Sequence, residues 1–327
     1  MGDLTKHKSD SHAIAQRPDG FFEVSFHAMG THCILLYDCD NERLANEVAL
    51  EAVNWVRFFE RRYSRFLKDS FVSTVNSLAG VEPVALEEED RRLLGLCQSL
   101  NFITKGLFDP TTLPLSILWD FKRKSPEVPS ESKIKEAMKR VGWNRVVLNP
   151  DEVFLPHSGM GLDFGGFGKE YAVDRVIEII NSFGVGNAMV NLGGDIHTLG
   201  RPKDAANWII GIENPKEPGR PSFALELSGM AVATSGTYAR FFEKEQKRYS
   251  HLIDHRTGYP VSSNVFSASV VSSTCLEAGA LATCSLLCDR KEGLGLIENY
   301  FGAEGCLRTD QSLYWSKGFD QFICKNQ

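Results

Sequence analysis

Residues 160–180 read MGLDFGGFGKEYAVDRVIEII. In order, they suggest the end of a strand, a glycine-rich turn and an amphipathic helix. Ala172, Val173, Val176, Ile177 and Ile180 recur at helical spacing, which predicts a helix from about Lys169 with one apolar stripe against a core. Ahead of it stand Gly165, Gly166 and Gly168. Glycines at a helix entry let a ligand approach the backbone closely, and the positive end of the helix dipole favours an anion there. A lysine in the first turn is disfavoured by about 0.3–1 kcal/mol unless a negative group lies nearby. Lys169 therefore suggests a phosphate-bearing ligand, with Asp163 as a further contact. Close helix packing with a solvated lysine is the other reading, and these residues alone leave both open. A P-loop is excluded, because it needs Gly where Asp163 stands and Ser or Thr where Glu170 stands. The Rossmann glycine spacing is also missing.

The chain has 327 residues, enough for a large single domain or two lobes around a substantial core. A net charge of -6 without a long basic run argues against nucleic acid or an anionic membrane as the main partner. No apolar run reaches the ~18 residues of a membrane span. The opening MGDLTKHKSDSHAIAQRPDG is polar and has no hydrophobic signal core, so residues 1–20 are expected to be a disordered leader and 21–327 a single domain. As given, the chain is expected to be cytoplasmic; a signal removed upstream would make it periplasmic or lipid-anchored. Its eight cysteines form no CxxC pair and read as reduced, with Cys284 and Cys288 as core residues of a buried helix.

Outward from the central segment, Phe21–Tyr37 alternates as a strand pair bent at Gly30. Helices are expected at 43–62, at 88–105 and at 131–141, the last between Ser130 as N-cap and Gly142. Strands follow near 145–148, 152–155, 188–192, 208–213, 222–227 and 230–234. Helices and strands do not alternate strictly, which points to an α+β fold.

Several short motifs place reactive residues beside glycine or proline. LFDPTT offers Asp109 and Thr111, and NLGGD puts Asp195 behind a glycine pair. ATSG sets Thr234 and Ser235 at a turn. SHLID reads as a strand carrying His251 and Ile253 on one face and Leu252 and Asp254 on the other, with His251 suited to general acid or base work. EAGALAT places Thr283 in an apolar helix, where its hydroxyl bonds back to a carbonyl or reaches a hard cation.

With MGT at 29–31, YSRFLKDSFVSTVN at 63–76, FDPTT at 108–112 and DFGGFGKEYAVD at 163–174, these motifs resemble, in order, the ApbE family of flavin transferases. The resemblance implies a T-fold-like, two-lobed α+β architecture with mixed sheets flanked by helices. It also implies transfer of FMN from FAD to a threonine of a target protein, with release of AMP. Carried over residue by residue, it makes Met29, Phe66, Leu107, Phe108, Asp109, Asp163, Lys169 and Ile253 FAD contacts, and puts His251 and Asp254 beside the transferred phosphate. Mg²⁺ would be held by a main-chain oxygen of Gly166 and by Thr283, together with an aspartate that this chain lacks, since Gly279 stands in its place. That departure predicts a weakened metal site, and Glu277, about 200° around the helix, is not placed to substitute. Other departures are Leu113 for a glycine, Glu170 for the glycine after the lysine, and His255 for a proline. Gly279 favours a second reading, a flavin-binding protein that has lost transfer; a third is a metal-dependent hydrolase of FAD giving FMN and AMP, with water in place of threonine as nucleophile.

Overall fold

The computed structural model describes residues 12–325, Ala239 apart. The alternation at Phe21–Tyr37 produces β2 (Phe22–Ala28) and β3 (Thr31–Tyr37), an antiparallel hairpin preceded by β1 (Ala13–Gln16). Its two-residue turn is Met29-Gly30, with φ of 53° and 73°. Both residues adopt the left-handed backbone that matches the twist of a tight hairpin. Of the leader expected at 1–20, residues 1–11 lie outside the described residues. Ala13–Gln16 pairs with Phe22–Ser25, so that part is an edge strand instead.

The hairpin opens a nine-stranded sheet. It continues through β4 (Ala188–Leu192), β5 (Asp195–Leu199), β6 (Ala231–Gly236), β7 (Val265–Ser272), β8 (Glu304–Thr309) and β9 (Leu313–Trp315). Strand order follows chain order and each pairing is antiparallel. Between β3 and β4 the chain inserts α1 (Glu42–Tyr63), α2 (Phe71–Ser77), α3 (Glu88–Ile103), α4 (Leu113–Trp119), α5 (Glu131–Met138) and α6 (Gly168–Ser182); α7 (Cys275–Leu286) and α8 (Arg290–Glu298) separate β7 from β8. This is the expected α+β class.

Period-two patterning sends alternate residues of one strand to different layers. Ala231 and Ala233 face the large core under α1, α6 and α7, whereas Val232 faces a second core beneath the ribbon of Trp208–Asn214 and Glu217–Leu227. The α6 stripe is buried at Tyr171, Ala172, Val173, Val176 and Ile180. Each fully buried Val or Ile contributes about 1.5–3 kcal/mol. A small third cluster holds Leu115, Ala137 and Val141, with Ile253 against it. There α5 ends at Met138 and not at 141, because Arg140 and Val141 tighten into bonds three residues back and Gly142 turns the chain at φ 143°. The eight cysteines are free, and burial pushes the thiols of Cys275 and Cys284 up. None of the helices is long and apolar enough to cross a membrane, among the described residues.

Candidate functional site

Phe167 precedes α6 without a side-chain cap, so the first amides of this helix have no capping side chain. Gly165, Gly166 and Gly168 do not take up the left-handed backbone. A Cβ at Gly166 would meet nothing within 4 Å, and one at Gly168 only ordinary contacts, 3.5 Å from Phe59 and 3.8 Å from Met29. Close packing thus does not require glycine at either position, and the backbone at Gly166 stays open to approach. Met29 closes one side of this entry. Its amide donates to Glu60 Oε1 at 2.8 Å, which fixes the hairpin turn against α1.

Lys169 is not left facing the dipole unpaired. It bonds the Asp195 carboxylate at the start of β5. Burial works against the lysine charge, but Glu170 and Asp195 outweigh it and its pKa is raised. The negative group inferred from the helix dipole is therefore supplied by the chain itself.

The α6–α7 contact is the most tightly specified part of the site. Asp174 accepts hydrogen bonds from the amides of Cys275 (2.7 Å) and Leu276 (2.9 Å), while His197 Nδ1 lies 2.7 Å from its Oδ1. This carboxylate caps α7 from a neighbouring helix and locks the register of the two. One turn back along α6, Glu170 lies against Gly279 of α7. A Cβ built on Gly279 would fall 2.5 Å from Glu170 Cγ, 2.8 Å from Oε1 and 3.0 Å from Cδ. Glu170 is buried, and its Oε2 has no hydrogen-bond partner. Burial, then the charge of Asp195, pushes its carboxyl above the usual range. One turn beyond Gly279, Thr283 Oγ1 lies 2.6 Å from Ser235 Oγ. The threonine thus reaches across to the sheet and not back along its own helix. Ser235 and Thr234 lie within β6, not at a turn, because the strand pairs residue by residue with β7 and Thr234 meets the Ser269 hydroxyl at 2.8 Å.

Asp109 is a structural hub. Its Oδ1 accepts from Thr111 N and Oγ1, and its Oδ2 from Trp143 N at 2.9 Å. Phe108 is buried edge-on against Phe167 at 4.9 Å, with Leu107 packed at the core margin. Asp163 is tied to this motif by its amide, which donates to Pro110 O, and its carboxylate pairs with Arg65 at 3.2 Å. Phe66 projects with 65% of its surface exposed, between the Arg65 and Lys122 cations at 4.6 and 4.2 Å from its ring. An exposed aromatic between two cations suits a stacked ring bearing phosphate.

The strand expected over SHLID is interrupted. Lys247–Ser250 ends one hairpin and Ile253–Asp254 begins a separate pairing with Tyr259–Pro260. The break falls at His251, whose amide and Nδ1 both approach Arg240 O, at 3.0 and 3.2 Å. Burial lowers the pKa of this histidine, so the neutral ring is favoured. Asp254 accepts a two-pronged bond from Arg256, which also reaches Leu287 O at the end of α7. An open depression of about 570 Å³ touches the site motifs only at Asp109 and His255.

The profile of the ApbE family matches residues 29–307. This chain belongs to the ApbE family. It is 30% identical over 326 residues to a Vibrio cholerae FAD:protein FMN transferase, covering 96% of each chain, and 31% identical over 255 residues to the Treponema pallidum protein of that name, covering 72% of this chain and 70% of that one. Its structure superposes on an ApbE protein of Thermotoga maritima with a TM-score of 0.85, at 28% identity and covering 93% of this chain and all of that one. It is likewise similar to the flavin transferase ApbE of Vibrio cholerae, with a TM-score of 0.80, 26% identity and coverage of 95% and 100%.

Within this ApbE chain, sequence reasoning passed over two residues. Asp174 is the last residue of the quoted DFGGFGKEYAVD, and the signal was an acid interrupting an apolar stripe. Glu170 shares the face of Val173 and Ile177 at spacings of three and seven, so the buried stripe itself runs through a carboxylate.

Proposed function

We propose that this chain is an FAD:protein FMN transferase whose acceptor is a threonine side chain. The observation that carries the reading is the meeting of distant motifs at the α6 entry: Met29 beside Gly168, Lys169 on Asp195, Asp163 on Pro110 and Glu170 against Gly279. Phe66, with its flanking cations, and the open backbone of the Gly-Gly turn offer stacking and anion-binding surface. Phe108 and Asp109, buried and saturated respectively, act by holding their loop in place.

In the reaction, the threonine oxygen attacks the phosphorus on the riboflavin side of the FAD diphosphate. A new P–O bond forms, the bond to the bridging oxygen breaks, and AMP leaves with that oxygen. His251, favoured as the neutral ring, accepts the hydroxyl proton. Mg²⁺ is the metal that the family resemblance implies, and the residues fit it: open backbone at Gly166, the Thr283 hydroxyl one turn from Gly279, and a buried carboxylate oxygen without a partner. When bound, it supplies neutralisation of charge on the diphosphate oxygens.

The acceptor chemistry is tested by incubating the chain with FAD, Mg²⁺ and paired peptides that differ by Thr→Ala. In-gel flavin fluorescence on the threonine peptide alone is the expected result, and equal labelling of both would reject threonine as the acceptor.

A further inference from the structure

We propose that Glu170 is the carboxylate that holds a divalent cation in this chain, and that position 279 is glycine because that carboxylate occupies the space of its side chain. The inference rests on the flavin-transfer reading above and assigns a cation ligand to a helix other than the one bearing Thr283.

Four acids surround this corner, and three are already engaged. Asp174 accepts two α7 amides and contacts His197, and Asp195 is bonded by Lys169. Glu277 accepts hydrogen bonds from the Tyr300, Ser272 and Ser273 hydroxyls. Glu170 is different. It is 6% exposed and keeps one oxygen without a partner. An unsatisfied buried carboxylate is costly, so such an oxygen marks a place where a ligand completes the site.

The direction of the side chain is fixed by its fit. Glu170 Cγ and Cδ, not only its tip, lie where a residue-279 Cβ would be. No side chain at 279 coexists with this rotamer. Thr283, four residues on, shares that face of α7. Gly166 lies four residues before Glu170, ahead of α6, and a Cβ there would meet nothing within 4 Å. A carboxylate, a hydroxyl and a main-chain oxygen are the hard donors that Mg²⁺ takes alongside phosphate oxygens. No cluster of three or more His, Cys, Asp or Glu with metal-holding geometry occurs among the described residues.

The two sequence departures therefore act as one exchange. A short acid on α7 is replaced by a longer one on α6, and each change requires the other. Asp174 maintains the register on which the exchange depends.

The test is Mn²⁺ titration followed by electron paramagnetic resonance, with and without FAD, with thermal melts to establish folding. The unaltered chain is expected to bind Mn²⁺. Glu170→Gln, which keeps the volume, should weaken binding at least about tenfold while the melt stays in place. The double variant Glu170→Gly/Gly279→Asp should regain most of it. Folded Glu170→Gln that binds Mn²⁺ like the unaltered chain would overturn the inference, as would an unaltered chain that binds none. FAD binding with Glu170-independent Mn²⁺ removes this inference and leaves the flavin reading. Glu170-dependent Mn²⁺ binding in a chain that never takes FAD does the reverse.

Discussion

The α6–α7 corner and the 250–256 segment both carry acids, but they are built in opposite ways. At the corner the groups are buried, their register is locked by Asp174, and one carboxylate oxygen is left over. Along 250–256 the backbone leaves its strand at His251, and Asp254 is already satisfied by Arg256. Rigid placement with unused polar capacity is what a binding site for an ion needs. A less embedded segment whose acid has an internal partner suits groups that handle a proton and then recover. On the proposed reading, the first region would bind the ion and the second would transfer the proton.

The largest expected effect breaks the second region: His251→Ala should lower flavin transfer by about 100- to 10,000-fold while FAD binding, read by flavin fluorescence, persists. Next, Asp174→Ala unlocks the first region. Two α7 amides lose their acceptor, and chemical denaturation should show a loss of about 2–4 kcal/mol. Gly279→Ala sets a Cβ 2.5 Å from Glu170 Cγ and should cost about 1–3 kcal/mol, with most of that recovered when Glu170→Gly is added. Additive losses in that double-mutant cycle would deny the exchange. The smallest effect is Asp254→Asn, within about 1 kcal/mol in stability because its arginine partner is half exposed.

The pH dependence sharpens the contrast. Burial lowers the His251 pKa in the folded state. Its contribution to stability is therefore fully present above the unfolded value of about 6.5 and is lost as pH falls through the folded one. The acid limb of kcat/KM should have its midpoint below about 6.5. An unchanged limb in His251→Gln would assign that limb to another group.

Much of the fold was legible because its signals are local. The β2–β3 alternation, the strand at 188–192 and the α6 stripe follow from period and composition. Class α+β followed from the missing alternation of elements. What was not legible depends on contacts across the chain. Ser235 became a strand residue through β7, and His251 ended a strand through Arg240. Gly279 looked like a plain loss because position 170 lies more than a hundred residues away. Their collision appears only when α6 and α7 are laid side by side.

The most direct measurement is intact-mass analysis of a threonine acceptor peptide after incubation of the unaltered chain with FAD and Mg²⁺, with AMP counted in the same samples. The account predicts a peptide heavier by one FMN less water and one AMP for every label. Intact FAD retained on the protein beside an unlabelled peptide would contradict it, as would free FMN and AMP formed in equal amounts without labelling.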